Sequence, residues 1–100
     1  MNREVVMSKT AKRKLEKLFD HLIEQWSLKV KNEFVIKLDD CIEIIKQQPG
    51  IFPESLKRKG LRRCVVTKQT TLYYRFNSKR INLVTIFDTR QNPKKLNKEI

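Results

Sequence analysis

The fold is decided by residues 61–87, which read LRRCVVTKQTTLYYRFNSKRINLVTIF. Three runs within this stretch, at 61–67, 71–76 and 81–87, are rich in valine, isoleucine, threonine and aromatic residues, which favour strands. The two polar connections between the runs have the length of hairpin turns. Residues 61–87 therefore predict a three-stranded antiparallel meander.

The middle strand of this meander has two chemically different faces. Because successive side chains of a strand point to opposite faces, Leu72, Tyr74 and Phe76 share one face. Tyr73 and Arg75 share the other. The apolar face must pack against another apolar surface, and the first half of the chain supplies one.

Two amphipathic helices are predicted before the meander. Apolar residues recur at helical spacing after Ser8 and again after Ser27, and either serine can cap a helix by accepting a backbone N–H. The first apolar stripe runs from Leu15 to Trp26, and the second ends before Pro49, which cannot continue the hydrogen-bond ladder. So short a break between matching stripes predicts an antiparallel helix hairpin.

The two ends of the chain complete the predicted fold. The apolar run Glu4–Met7 suits a first strand that pairs with an edge of the meander, and the short polar tail 94–100 has room for one last helical turn. The predicted fold class is α+β, in the order β-α-α-β-β-β, with an N-terminal helix hairpin packed on a small antiparallel sheet. A chain of 100 residues has the length of a single domain, 1–100.

Positive charge is concentrated in one region of the chain. The formal net charge is +12, yet residues 1–54 are nearly balanced, with ten Lys and Arg against nine acidic residues. Residues 55–87 carry nine Lys and Arg and no acid. Ordinary solvated surfaces interleave both signs, so this concentration favours an anionic partner, either a nucleic acid or an acidic protein segment.

Several other kinds of site are disfavoured by composition. The longest uncharged stretch of the second half, 81–87, is far shorter than the roughly 20 apolar residues of a membrane span. The N-terminus lacks the apolar run of a signal peptide, so a cytoplasmic protein without a membrane partner is expected. Cys41 and Cys64 are too few for a disulfide framework or zinc site, and are expected to be buried thiols. His21, the only histidine, lies among apolar helix residues and suits a structural role. No metal or cofactor is expected.

Three stretches add family-specific patterns to this element order. Residues 72–76, LYYRF, and 83–93, LVTIFDTRQNP, flank a polar hairpin, and 60–63, GLRR, open the preceding strand. Together with the element order, they resemble the RelE/ParE toxin family of type II toxin–antitoxin systems. The first two stretches look like its third and fourth strands, and Arg90 looks like the arginine that typically follows the last strand. The helical half looks closer to the ParE branch, and the resemblance covers almost the whole chain.

The resemblance implies a growth-inhibiting toxin, associated with plasmid stabilisation. Such a toxin is neutralised by a cognate antitoxin, whose short acidic or amphipathic segment binds across the sheet and helices. The ParE branch resembles inhibitors of DNA gyrase, which act by binding and need no catalytic residues. Complementary charge would speed the encounter with an acidic segment more than it would set the final affinity.

The RelE branch implies a different mechanism, ribosome-dependent cleavage of mRNA by an endoribonuclease. There the 2′-hydroxyl attacks the adjacent phosphate, and basic side chains stabilise the charge that develops. Arg62 and Arg90 are the candidate catalytic residues. The nuclease pattern also has an arginine at the start of the third strand, where this chain has Thr71, and a tyrosine in the tail, where it has Leu96. These two differences favour the ParE reading.

The candidate residues for binding a target or nucleic acid are basic and lie in or beside the acid-free region. They are Lys57, Arg58, Lys59, Arg62, Arg75 and Arg90. The ordinary alternative for each is a solvated or salt-bridged side chain. A third function, a non-toxic basic nucleic-acid-binding module, also fits this charge, and its affinity would fall steeply as salt rises.

Overall fold

The structure, a computed structural model, describes residues 3–56, 58–89 and 93–100. The elements in chain order are β1 (Glu4–Met7), α1 (Lys9–Gln25), α2 (Leu28–Gln47), β2 (Arg62–Thr67), β3 (Thr70–Phe76), β4 (Arg80–Asp88) and α3 (Pro93–Glu99). The α+β class and the order from β1 to β4 are confirmed. The tail forms a seven-residue helix instead of one turn.

The four strands form one sheet in the order β1-β4-β3-β2. As predicted, β2, β3 and β4 form an antiparallel meander, and β1 pairs with its edge strand β4. However, β1 runs parallel to β4, with Val5 opposite Ile81 and Met7 opposite Leu83. The sheet is therefore mixed, which corrects the predicted antiparallel sheet. A parallel pair needs a long connection, and the intervening helices and strands supply it.

The helices begin at the two predicted serine caps. Ser8 Oγ accepts the Ala11 N–H at 3.0 Å, and Ser27 Oγ accepts the Val30 N–H at 3.1 Å. The Ser8 hydroxyl also donates to the carbonyl of Val84 at 2.6 Å, which fixes the start of α1 to β4. Trp26 departs from the prediction, because it follows the last residue of α1 and its side chain is 71% exposed.

The hydrophobic core lies between the helix hairpin and one face of the sheet. Leu72 and Tyr74 are completely buried there and Phe76 packs against them, as the alternation along β3 predicted. The other buried members of this cluster are Leu15, Phe34, Leu38, Ile45, Cys64, Val66, Ile81, Leu83 and Ile86. Each fully buried Leu or Ile side chain stabilises the fold by about 1.5–3 kcal/mol.

The short helix α3 packs against β4. Its Glu99 accepts a hydrogen bond from Lys14 Nζ at 2.5 Å, and the same ammonium lies 5.0 Å from the centre of the Phe87 ring. Leu96 of α3 is buried. Lys14 thus ties α1 to α3 at the end of β4. Within residues 3–56, 58–89 and 93–100, no helix is long and apolar enough to cross a membrane.

Candidate binding interface

The face of the sheet that points away from the helix hairpin carries a group of arginines. Tyr73 and Arg75 lie on this face, as predicted, and the strand register places Arg63 opposite Tyr73 and Asn82 opposite Arg75. Arg80 lies on the same side as Asn82 because it is two residues away along β4. We refer to these five residues as the open face.

The open face combines cations with a neutral phenol. Burial raises the pKa of Tyr73, while the nearby Arg63 guanidinium acts in the opposite direction. Tyr73 therefore keeps its proton at neutral pH and can donate a hydrogen bond. Arg80 Nε lies 3.5 Å from a Glu4 carboxylate oxygen, but both side chains are exposed, so this ion pair contributes little and is readily exchanged.

Three guanidinium groups on one face suit an anionic partner. Each is planar and presents several N–H donors, a geometry that matches carboxylates and phosphates in bidentate contacts. Arg63 and Arg80 are exposed and Arg75 is half-buried. The open face can therefore hold carboxylates or phosphates by charge-assisted hydrogen bonds.

Arg62 points to a different part of the molecule from its neighbour Arg63. Its Nη1 donates to the carbonyl of Phe52 at 2.6 Å and to that of Gly50 at 3.3 Å. Its Nη2 lies 3.7 Å from the Glu54 carboxylate, and its guanidinium lies 5.6 Å from the centre of the Phe76 ring. Arg62 thus fastens the loop after α2 to the start of β2.

The predicted basic loop precedes β2. Arg58 and Lys59 are exposed there, as expected, whereas Lys57 lies outside the described residues. Gly60 has a φ of 82°, a left-handed conformation in which a side chain is strained, and it turns the chain into β2. Arg90 also lies outside the described residues, so its predicted role stays a prediction.

A groove of about 980 Å³ lies between the helix hairpin and the turn that joins β2 to β3. The exposed indole of Trp26 lines it, with Lys17 and Lys37 on the helices and Glu33 and Asp88 adding negative charge. The mixed sign of this lining makes it less selective for an anion than the open face.

Metal-binding geometry is not present in the described part of the chain. Within residues 3–56, 58–89 and 93–100, no three His, Cys, Asp or Glu side chains are grouped as metal ligands. His21 is exposed and lines the groove.

The family model for the ParE toxin of the type II toxin–antitoxin system, parDE, matches residues 5–93. The chain belongs to the ParE toxin family. This confirms the RelE/ParE resemblance read from the strand and loop motifs. A search of curated proteins finds no match for this ParE-family chain.

Solved structures share the fold of this ParE-family chain. The chromosomal ParDE system from P. aeruginosa superposes with a TM-score of 0.73 at 14% identity, covering 86% of this chain and 95% of that one. The E. coli DinJ-YafQ toxin-antitoxin complex gives 0.61 at 13% identity, with 90% and 96% covered. The YoeB/ParE toxin from Agrobacterium tumefaciens gives 0.61 at 16% identity, with 85% and 96% covered. At such low identities the likeness shows the fold.

The structure groups only part of the predicted binding residues of the ParE-family chain. Arg75 lies on the open face, while Arg62 faces the loop after α2. Arg63 and Arg80 belong to the open face but were not among the predicted residues. The sequence does contain a signal for these two residues. The alternation of β3, carried to β2 and β4 through the register of each hairpin, places Arg63 and Arg80 on the same face as Arg75.

Proposed function

We propose that this ParE-family toxin inhibits growth by binding an essential target, DNA gyrase, through its open face, and that a cognate antitoxin neutralises it by covering that face. Membership of the ParE family supports a toxin of a type II toxin–antitoxin system. The three arginines of the open face support binding to an acidic protein surface. Gyrase acts on DNA, so this proposal places the toxin in the cytoplasm, acting as one domain.

The contacts of Arg62 are the observation that favours binding over RNA cleavage. To stabilise charge on a phosphate, its guanidinium would have to leave the carbonyls of Gly50 and Phe52 and the Glu54 carboxylate. Those contacts also hold the loop after α2, so their loss would loosen the fold. A side chain engaged in this way is better suited to structure than to catalysis.

The antitoxin of this proposal is an acidic segment. Residues 55–87 carry nine cations and no acid, and three of these cations lie on the open face. Carboxylates opposite Arg63, Arg75 and Arg80 would form charge-assisted hydrogen bonds there. The association rate should therefore fall as salt rises, because exposed charges are screened.

The experiment compares two triple variants that lose the same charge. In the first, Arg63, Arg75 and Arg80 of the open face become Gln. In the matched control, three exposed helix cations, Lys12, Arg13 and Lys29, become Gln.

Purified wild-type protein should inhibit DNA supercoiling by gyrase, and so should the control. The open-face variant should require at least roughly tenfold more protein, because losing even one hydrogen bond to a charged group costs about 1.5–3 kcal/mol. Equal potency of the two triple variants would exclude the open face as the gyrase-binding surface.

Two further assays separate this function from its alternatives. Growth arrest on expression, relieved by co-expression of the antitoxin, distinguishes a toxin from a non-toxic nucleic-acid-binding module. The second assay looks for codon-specific cuts in mRNA in a translating extract. Cuts that Arg90→Ala abolishes would show that the toxin is a ribosome-dependent endoribonuclease and would overturn the gyrase proposal.

A further inference from the structure

Two cysteines that are far apart in the chain meet where α2 packs on β2. Cys64 is 1% exposed and belongs to the core cluster, and Cys41 packs against that cluster from α2. The thiol of Cys41 lies 3.7 Å from the carbonyl oxygen of Val65, the residue next to Cys64. Both cysteines are free thiols.

The two thiols also interact with each other. Burial raises the pKa of Cys64 to about 12, and the neighbouring Cys41 acts in the same direction. Cys41 Sγ lies against the carbonyl of the residue that follows Cys64, so the two thiols lie where α2 packs on β2, close enough in the fold for a disulfide to be tested.

We propose that Cys41 and Cys64 are a redox-sensitive pair that forms a reversible intramolecular disulfide when the protein meets a peroxide. Cys41 is the more exposed thiol and reacts first. This inference rests on the packing of α2 against β2 and is independent of the toxin's target.

The reaction balances with hydrogen peroxide as the oxidant. The Cys41 thiolate attacks one peroxide oxygen, the O–O bond breaks, and the departing hydroxide takes up the thiol proton as water, which leaves a sulfenic acid on Cys41. The Cys64 sulfur, losing its proton, then displaces the hydroxyl from the Cys41 sulfur, which leaves as a second water. In total, two thiols are oxidised to one disulfide and one peroxide is reduced to two waters.

The bond would restrain the part of the fold that contains the basic loop. It would close the segment from Cys41 to Cys64, which includes the end of α2, the loop fastened by Arg62 and the start of β2. Closing a loop of this length removes freedom from the unfolded chain, and should raise the melting temperature by roughly 10 °C. Because intracellular disulfides are usually transient, the bond is expected to act as a switch and not as a permanent staple.

The test uses the full chain. Reduced protein is treated with hydrogen peroxide and then denatured before alkylation, so that the alkylating agent reaches every remaining thiol. Peptide mapping should recover a peptide pair joined through Cys41 and Cys64 from monomeric protein, and dithiothreitol should restore both thiols. The melting temperature should rise on oxidation and return on reduction.

Cys41→Ser is the matched variant, since it removes one thiol at the partly exposed position and leaves the core residue Cys64 in place. It should form no internal crosslink and show no rise in melting temperature under peroxide. The proposal is overturned if wild-type protein keeps both thiols after the peroxide treatment. It is also overturned if Cys41 ends as a sulfinic acid, or if the disulfides that form join two chains.

Discussion

Tyr73 and Tyr74 are adjacent in sequence, and replacing each by phenylalanine should have very different effects on stability. The Tyr74 hydroxyl donates to the carbonyl of Pro49 at 2.6 Å, and Tyr74 is fully buried. Tyr73 is half-buried on the open face. The same atom is removed in both variants, so the comparison tests the two faces of β3 directly.

The expected loss of unfolding free energy in Tyr74→Phe follows from the buried hydrogen bond. The substitution keeps the ring, including its edge-to-face contact with Phe52 at 6.4 Å between centroids, so no large cavity forms. It leaves the carbonyl of the buried residue Pro49 without this donor, which costs about 1–3 kcal/mol of unfolding free energy. For a chain of this length, that lowers the melting temperature by roughly 10 °C. Tyr73→Phe should change the unfolding free energy by less than about 0.5 kcal/mol.

Urea unfolding followed by circular dichroism measures both variants. The midpoint for Tyr74→Phe should fall while the slope stays that of the wild type, because the surface exposed on unfolding is unchanged. Equal effects of the two substitutions, or a larger effect at Tyr73, would refute the assignment of the two faces.

Alkaline pH gives this pair of variants a second, independent readout. Burial raises the pKa of Tyr74 from 10.0 to about 12, although the nearby Arg62 opposes this. The folded protein therefore holds this proton more tightly than the unfolded chain does. The resulting contribution to the free energy of unfolding is fully present below pH 10 and is lost as pH rises toward 12. The pKa of Cys64 is raised too, so Cys64 also lowers the free energy of unfolding as pH rises. Tyr74→Phe should lose less stability than the wild type between pH 10 and 12.

Two further substitutions test the loop after α2 and the helix hairpin. Arg62→Met should cost about 1–3 kcal/mol and speed hydrogen exchange at the Arg63 amide, which donates to Pro53, whereas Arg75→Met should change neither. Unchanged exchange with lost toxicity would instead give Arg62 a direct role. Ser27→Ala should cost about 1 kcal/mol by removing the cap of α2, and an unaltered urea midpoint would contradict the importance of that cap.

The predicted features that the structure confirms depend on local patterns. Ser8 and Ser27 were identified because a cap needs only a side-chain oxygen and the next turn of helix. The faces of β3 followed from alternation alone. The family itself followed from the order of these elements, and the family model confirms it.

The features that sequence reasoning missed depend on contacts between distant segments. The orientation of β1 is set by the path of the two helices, and no residue of Glu4–Met7 specifies it. Alternation along β2 separates Arg62 from Arg63, but nothing in the sequence shows that Arg62 binds the carbonyls of the loop after α2. Likewise, the spacing of Cys41 and Cys64 gives no sign that α2 places Cys41 against the residue next to Cys64.

The pairing of β1 with β4 has a consequence for how the protein is made. Glu4–Met7 leaves the ribosome before both helices, but its partner strand, Arg80–Asp88, follows only after α1, α2, β2 and β3. The nascent chain therefore cannot complete its sheet until β4 has emerged, and partners so distant in sequence are brought together slowly. A toxin of this fold therefore lacks its complete sheet while the segments between β1 and β4 are being synthesised.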